Sequence, residues 1–266
     1  MIKLITCDLD GTLFDSKKNI SDENRQAIQS LKETKFVVAS GRPIEGVIPV
    51  NEYLGLTNIG DYTICYNGAL IIENDTKQLI FEKYIDGKMV KRIFKEAIRL
   101  NTNFHAFKKD GTLITNEKNP YTAVEEKINN LEALVVNFDD IADNELFLKC
   151  MMVSNEEKLD QIRGEIDNEI ADEVTINRSS KIFLEFLNKE ANKGMALCFL
   201  ADYLNISMDE TMAIGDADND RTMLLAASEA VAMKNSFESI LAIASYITDD
   251  NEHSGVAKAI SHFDCR

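Results

Sequence analysis

The sequence predicts an α/β fold, with a Rossmann-like parallel sheet as its core and a smaller α/β domain inserted into that core. Short apolar runs alternate with amphipathic segments along the chain, which is the pattern of βα units. This pattern occurs at both ends of the chain, whereas the middle has a different order of elements. The simplest organisation is a core of residues 1–83 and 188–266 with a cap domain of residues 84–187 between its two parts.

Composition limits the partners of this chain. The formal net charge of −16 argues against nucleic acid and against an anionic membrane surface, because both require basic patches. No stretch approaches 18 uninterrupted apolar residues, and the N-terminus reaches Asp8 too soon to contain the apolar core of a signal peptide. We therefore expect a cytoplasmic protein with no nucleic-acid partner and no membrane partner, which is a monomer or a weak homodimer.

The cysteines do not form a disulfide framework or a cysteine-based active site. Their number is odd and they are widely spaced, which is typical of buried free thiols in a reducing compartment. A cysteine-based phosphatase would need an arginine six positions after its nucleophile, and positions 13, 71, 156 and 204 hold Leu, Ile, Glu and Leu. The five are Cys7, Cys65, Cys150, Cys198 and Cys265.

The first predicted element is a buried strand over residues 1–7, which leads directly into Asp8-Leu9-Asp10-Gly11-Thr12-Leu13. Asp8 and Asp10 are separated by one residue, so in an extended segment their side chains point the same way. Such a pair repels by about 4 kcal/mol at an effective dielectric of 20. Because the carboxyl end of a strand is where open α/β sheets bind ligands, this pair indicates a cation, a shared proton or a reaction.

The next two elements place a hydroxyl at a second strand end. Ser21 is the predicted N-cap of a helix that ends near Glu33, and residues 36–39 form the second buried strand. This strand ends at Ser40-Gly41-Arg42, just before a helix whose first turn accepts Pro43. A hydroxyl and backbone N–H groups before a helix form a natural phosphate site, although ordinary capping explains the same pattern.

A hairpin and the cap follow. Strands over 63–66 and 69–72 flank Asn67-Gly68, which is a strong hairpin signal, and residues 78–84 add another strand. In the cap we predict a capping box of Ser154 and Glu157 at the start of the third helix. The predicted cap helices are near 88–100, 120–132 and 155–170, and the cap strands are near 103–107, 112–115, 146–153, 173–177 and 181–187.

The last part of the chain contributes a lysine and a carboxylate cluster. Asn192-Lys193-Gly194 begins a helix over 193–204, and Gly215-Asp216-Ala217-Asp218-Asn219-Asp220 follows a strand over 211–215. A calcium loop of the EF-hand type is excluded, because position 227 is Ala where a Glu is required. The remaining predicted elements are helix 220–228, strand 230–233, helix 236–243, strand 245–248 and a final helix from Gly255.

In this order and at these strand ends, the motifs resemble those of the haloacid dehalogenase superfamily of phosphotransferases. The resemblance covers nearly the whole chain, and within the superfamily it is to the Cof-type phosphatases with a large α/β cap. It implies a core of the haloacid dehalogenase fold and a cap that determines substrate specificity. The matching segments are Asp8 to Leu13, Ala39 to Pro43, Asn67-Gly68, Lys193-Gly194, Gly215-Asp216 with Asn219-Asp220, Val231 to Met233 with Asn235, and Asp249 to Ala257.

The resemblance implies a Mg²⁺-dependent phosphomonoester hydrolase that forms an aspartyl-phosphate. Asp8 would be the nucleophile and Asp10 the general acid and base, with Lys193 as the catalytic cation. Mg²⁺ would be held by the Asp8 side chain, the Asp10 backbone carbonyl and Asp216, with Asp220 orienting the metal shell or binding through water. The residues that would hold the phosphate are Ser40, Gly41, Arg42 and Asn219.

The substrate and two other functions stay open. A sugar phosphate is the leading substrate by resemblance, and pyridoxal phosphate, flavin mononucleotide and polyol phosphates are further small phosphorylated metabolites to consider. A phosphomutase with the same intermediate, or a phosphate-ligand sensor without turnover, would carry similar motifs. We expect the polar cap residues to lie at the surface more often than to contact a leaving group; they are Lys149, Arg178, Ser179, Ser180 and Lys181.

Overall fold

The structure, a computed structural model, describes residues 1–129, 131–263 and 265. The chain divides into two compact units. The first unit consists of Met1–Glu82 and Asn192–Arg266, and the second unit consists of Lys83–Ala191. Among the residues that the structure describes, no helix has both the length and the apolar character needed to cross a membrane.

The elements alternate between helix and strand through most of the chain. The first segment contains β1 (Leu4–Cys7), α1 (Asp22–Gln29), β2 (Lys35–Ala39), α2 (Ile44–Leu54), β3 (Tyr62–Cys65), β4 (Leu70–Glu73) and β5 (Leu79–Glu82). The second unit contains β6 (Ile85–Asp86), α3 (Gly87–Arg99), β7 (Asn103–Lys108), β8 (Leu113–Thr115), α4 (Pro120–Asn129), β9 (Leu134–Val135), β10 (Leu146–Val153), α5 (Glu156–Ile162), α6 (Asn168–Glu173), β11 (Val174–Ser180) and β12 (Phe183–Asn188). The final segment contains α7 (Lys193–Tyr203), β13 (Thr211–Gly215), α8 (Arg221–Ala226), β14 (Glu229–Ala232), α9 (Glu238–Leu241), β15 (Tyr246–Ile247) and α10 (Gly255–His262).

The sheet of the first unit has the order β15-β14-β13-β1-β2-β3-β4-β5. The strands from β15 to β3 are parallel, and β4 and β5 add an antiparallel edge. The order reverses at β1, which pairs with β2 on one side and with β13 on the other. Their carboxyl ends are therefore the topological switch point of the sheet, where α/β folds bind ligands.

Helices cover this sheet and bury its apolar side chains. β1, β2 and β13 are almost completely buried, so they are apolar without alternation, as parallel central strands require. Residues of α7 and α8 pack against them in one hydrophobic cluster. This cluster includes Leu4, Val37, Ile64, Leu197, Leu200, Ala213 and Met223. The core thereby fixes the three strand ends that precede Asp8, Ser40 and Asp216.

The second unit has its own sheet, with the order β11-β12-β10-β7-β8-β9 and with β6 paired to the start of β10. Its hydrophobic cluster joins one face of this sheet to residues of α3, α5 and α6. Lys149 and Glu185 lie on neighbouring strands and form a buried ion pair at 2.6 Å. The expectation that Lys149 is a surface residue is therefore wrong. Arg178 is partly buried and donates to the carbonyl oxygen of Lys181.

The sequence places the second boundary of the inserted domain at 187/188, and the structure divides the chain at 191/192. The side chain of Asn188 donates to the carbonyl oxygen of Tyr84, and that of Thr175 donates to the carbonyl oxygen of Lys189. Lys189 in turn donates to the carbonyl oxygen of Asp172. These contacts join residues 188 and 189 to the second unit. They depend on side chains distant in sequence, so the composition of the segment gives no sign of them.

The structure differs from the sequence prediction in the bounds of two helices. The sequence predicts one helix over 155–170, which is wrong, because α5 and α6 are separate and the break between them contains Gly164. The predicted capping box at Ser154 is also wrong, since Asn155 is the N-cap and its side chain accepts from the Lys158 amide. Asn caps a helix as well as Ser does, so the choice between neighbours depends on the turn that precedes the helix. Ser21 is confirmed as the N-cap of α1, but α1 ends at Gln29.

The cysteines are free thiols, as the sequence predicts. Four of them are buried, and Cys198 is partly exposed. Burial raises the pKa of the Cys65 and Cys150 thiols above their usual range, which makes them poor nucleophiles. They therefore act as small apolar residues of the two cores.

Buried His105 in β7 makes the stability of the second unit depend on pH. Burial lowers its pKa to about 4 from 6.5, and the structure's described residues offer no hydrogen-bond partner for Nδ1. Between these pH values the unfolded chain binds a proton that the folded chain does not, so the free energy of unfolding decreases as the pH falls. The loss is on the order of 3 kcal/mol. Urea unfolding measures this at pH 7 and near pH 4. Between these pH values the free energy of unfolding of His105→Gln is expected to decrease less than that of the wild type. Equal decreases in the two proteins would show that His105 is not the source of the pH dependence.

Candidate active site

The centre of the site is a buried lysine between two carboxylates. Lys193 is the first residue of α7 and is 0% exposed. Its Nζ lies 2.5 Å from Asp8 Oδ1 at the end of β1 and 2.6 Å from Asp220 Oδ1 after β13. Asp8 is fixed in turn by its backbone amide, which donates to the Ile214 carbonyl oxygen at 3.0 Å. The structure thus brings together three site residues that are distant in sequence.

Asp216 completes a group of three carboxylates. Ligand atoms of Asp8, Asp216 and Asp220 lie within 4.8 Å of one another. Asp220 Oδ2 accepts from the backbone amides of Asp216 at 2.9 Å and Ala217 at 3.1 Å. Both oxygens of Asp220 are therefore engaged, one by Lys193 and the other by the turn after β13. Of the three carboxylates, Asp8 and Asp216 therefore have more oxygen lone pairs left to bind a cation than Asp220 has.

Electrostatics in this group oppose the accumulation of negative charge. Burial, followed by the charge of Asp220, raises the pKa of Asp8 well above its ordinary value, and Lys193 acts in the opposite direction. Burial and the charge of Asp220 also raise the pKa of Asp216, to about 7. Burial disfavours the charged form of Lys193, but Asp220 and Asp8 outweigh this effect and raise its pKa. The site thus requires positive charge beyond that of one lysine when all its carboxylates are ionised.

Asp10 lies apart from this group of carboxylates and is paired with cations. The Nε and Nη2 atoms of Arg42 donate to Asp10 Oδ2 at 2.8 Å and Oδ1 at 2.7 Å, and Lys18 Nζ lies 2.5 Å from Oδ1. Burial raises the pKa of Asp10, but the hydrogen bonds and charges of Arg42 and Lys18 outweigh it and lower the pKa to about 2. The guanidinium of Arg42 also lies over the ring of Phe14. Asp10 is therefore a carboxylate in this state, and Arg42 contacts it directly.

Ser40 and Gly41 follow β2 at the same end of the sheet. Ser40 is buried, and its Oγ accepts from the Arg42 amide at 3.1 Å. Its carbonyl oxygen accepts from the Asn67 amide at 2.9 Å. The side chain of Asn67 accepts from Asn219 Nδ2 at 3.1 Å, so it connects the turn after β2 with the turn after β13.

By its local sequence Asn67 is a hairpin residue and not a predicted residue of the site. The hairpin itself is confirmed, because β3 and β4 pair antiparallel around it. However, Asn67 is 0% exposed and has a φ of 53°. Turn residues of a hairpin are usually exposed, so a buried Asn here indicates a polar partner. The only sequence signal was its position within the resemblance.

Gly68 allows the helix with Lys193 to approach the hairpin. Its φ of +95° is strained for any other residue, and a Cβ at this position would collide with the carbonyl oxygen of Asn192. The side chain of Asn192 caps α7 by accepting from the Met195 amide at 2.9 Å. A tight contact between turn and cap thus sets the start of α7, and with it the position of Lys193.

The fold and these groups define a class of protein: an α/β enzyme whose candidate reacting groups are carboxylates and a lysine at the switch point of a parallel sheet. The model of the haloacid dehalogenase-like hydrolases matches residues 5–260 of the chain. The chain belongs to this family, and the predicted family and fold class are confirmed.

Relatives and solved structures agree with this assignment. A provisionally named phosphatase of Streptococcus pyogenes serotype M6 is 35% identical over 268 residues, which cover 97% of each chain. The 5-amino-6-(5-phospho-D-ribitylamino)uracil phosphatase of Bacillus subtilis is 32% identical over 266 residues, which cover 98% of this chain and 96% of that one. A haloacid dehalogenase-like hydrolase from Bacteroides thetaiotaomicron is similar in structure, with a TM-score of 0.84, 30% identity and coverage of 99% of this chain and 100% of that one.

Proposed function

We propose that this enzyme is a Mg²⁺-dependent phosphomonoester hydrolase that acts on a small phosphorylated metabolite through an aspartyl-phosphate at Asp8. The observation that supports it most is the position of Lys193, which bridges Asp8 and Asp220 beside Asp216 at the switch point. A nucleophile, a buried cation and a set of hard oxygen ligands are what phosphoryl transfer requires.

The donor set fits a hard divalent cation. Carboxylate and carbonyl oxygens are the ligands that Mg²⁺ prefers, and the group that could hold an ion here consists of the carboxylates of Asp8, Asp216 and Asp220. Asp8 and Asp216 would hold the ion through their side chains and Asp10 through its backbone carbonyl. Since both oxygens of Asp220 are engaged, Asp220 would orient this shell rather than bind the ion directly. When bound, the ion would neutralise charge on the transferred phosphoryl group.

In the first half of the reaction, a carboxylate oxygen of Asp8 attacks phosphorus and the bond from phosphorus to the leaving oxygen breaks. Lys193 holds Asp8 in place and neutralises charge that develops on the phosphoryl oxygens. Ser40 and Gly41 would supply a hydroxyl and an amide to those oxygens, and Asn219 would supply its side-chain amide. Arg42 is the remaining candidate phosphate ligand. It contacts Asp10 in this structure, so binding phosphate requires it to exchange partners.

Asp10 would serve as acid and then as base. It would give a proton to the leaving alcohol in the first half. In the second half it would take a proton from a water that attacks phosphorus, while the bond from phosphorus to the Asp8 oxygen breaks and inorganic phosphate leaves. Arg42 and Lys18 together engage both of its oxygens, so proton transfer requires at least one oxygen to be released. The ionised form that they favour is the form that the second half needs.

For the substrate we propose a sugar phosphate or a related polyol phosphate. The Bacillus subtilis relative is named for a substrate whose phosphate is on a ribityl chain. The second unit, as the inserted domain, would select the leaving group.

Phosphate release from a panel of sugar phosphates, polyol phosphates, nucleotides and phosphorylated cofactors tests the proposal. We expect release that depends on Mg²⁺ and is strongest for one chemical class. Conversion between phosphate isomers without free phosphate would indicate a mutase instead. Silence across the panel, with a folded protein, would contradict hydrolysis and favour a phosphate-ligand sensor.

Chelation should stop the reaction reversibly. Treatment with excess EDTA is expected to lower phosphate release to background, because Lys193 alone cannot neutralise the carboxylates and the phosphoryl group. Adding Mg²⁺ in excess should restore the rate. EDTA already saturated with Mg²⁺ is the control, and it should leave the rate unchanged. Activity that persists in excess EDTA would contradict the metal dependence.

A further inference from the structure

Two asparagines from the end of the chain contact the loop that follows Asp10. Asn235, after β14, donates through Nδ2 to the carbonyl oxygen of Gly11 at 2.8 Å. Asn251, after β15, donates through Nδ2 to the carbonyl oxygen of Phe14 at 2.8 Å. The two are also joined, since the Asn251 amide donates to Asn235 Oδ1 at 3.1 Å. They form a small network that spans more than 220 residues of sequence, because the separation between Asn235 and Gly11 is 224.

The loop that these asparagines contact also packs closely against Asp216. Gly11 has a φ of +90°, and a Cβ there would lie 2.5 Å from Asp216 Oδ2. The hydroxyl of Thr12 donates to Asp216 Oδ1 at 2.6 Å. The Gly11 peptide is thus held between the carboxylate of Asp216 and the amide of Asn235. Since Gly11 directly follows Asp10, whatever fixes this peptide limits where the Asp10 side chain can be.

We propose that Asn235 and Asn251 are positioning residues that fix the Gly11–Phe14 loop and thereby place Asp10 for proton transfer. The inference rests on the proposed function, because it assigns a purpose to the acid and base role of Asp10. Neither side chain contacts the carboxylates of the site in the described structure, so they act through the loop. Asn235 and Asn251 belong to the last two segments that match the family, and the proposed phosphoryl transfer gives these segments no other role.

The dependence of the rate on the leaving group separates this role from a purely structural one. An alkyl phosphate needs a proton from Asp10 as its alcohol departs, whereas 2,4-dinitrophenyl phosphate has a leaving group that departs without one. For Asn235→Ala and Asn251→Ala we expect kcat/KM to fall about tenfold with the best alkyl phosphate of the panel and less than about twofold with 2,4-dinitrophenyl phosphate. The value of kcat/KM is used because it reports the steps up to loss of the leaving group.

Ser254→Ala is the matched control. The Ser254 hydroxyl contacts that of Ser21 at 2.8 Å and donates to Glu23 Oε2 at 3.3 Å. The variant therefore removes hydrogen bonds between the same parts of the chain without reaching the Gly11–Phe14 loop. It should keep both rates within about twofold of wild type.

Asn235 is exposed, so its variant should fold, and thermal melting checks this. Equal losses with both substrates, or no loss with either, would overturn the positioning role while the proposed function stands. A wild-type protein without hydrolysis of either ester would remove the proposed function and this inference with it.

Discussion

Replacing Asp8 by Asn is expected to reduce kcat by at least about 10⁴-fold and to leave the fold intact, as loss of a nucleophile does in other covalent mechanisms. The amide has the shape of the carboxylate, and its oxygen can still accept from Lys193 Nζ, which lies 2.5 Å away in the wild type. It cannot attack phosphorus to form an acyl phosphate. The measurement is phosphate release under saturating substrate, with thermal melting to show that the variant is folded.

Asp202→Asn is the control for this substitution. Asp202 is exposed on α7, the helix that begins with Lys193, and the same change there should leave kcat unchanged. A folded Asp8→Asn protein with turnover near that of the wild type would show that Asp8 is not the nucleophile.

Replacing Lys193 by Met is expected to affect both activity and stability. The change leaves Asp8 and Asp220 facing each other in a buried site without the cation that now lies between them. Removing one partner of a buried ion pair costs about 3–5 kcal/mol, so urea unfolding should show a loss of that size. The value of kcat should fall by about 10³-fold, because the charge on the phosphoryl oxygens loses a preorganised cation.

An exposed lysine provides the comparison for this variant. Lys32→Met removes the same charge at the surface, and we expect it to change the free energy of unfolding by less than about 0.5 kcal/mol. If Lys193→Met were as stable and as active as Lys32→Met, the ammonium group of Lys193 would contribute neither to the free energy of unfolding nor to kcat.

The parts of the site that the sequence predicts are those carried by strand ends. Asp8 and Asp216 follow continuous apolar runs, and such runs predict central parallel strands whose carboxyl ends meet. The structure brings these two side chains together, as the meeting of the strand ends predicts. Nothing in the local sequence of Lys193 distinguishes it from a solvated helix residue, and its burial depends on Gly68 and on the whole fold.

The parts that the sequence does not predict depend on contacts across long distances in the chain. Asn67 is a turn residue by its local pattern, and only the fold buries it between Ser40 and Asn219. Arg42 belongs to a motif associated with phosphate, yet its side chain reaches Asp10 in this structure. The sequence does not predict the break between α5 and α6, because apolar residues at helical spacing continue across it.

Trapping the covalent intermediate tests the central claim most directly. Wild-type protein is mixed with the best substrate and Mg²⁺, quenched in acid during turnover, reduced with borohydride and analysed by peptide mass spectrometry. Borohydride reduces an acyl phosphate to an alcohol, so the account predicts homoserine at position 8 that appears only with substrate. Substrate-dependent reduction at Asp10 or Asp216 instead of Asp8 would contradict it.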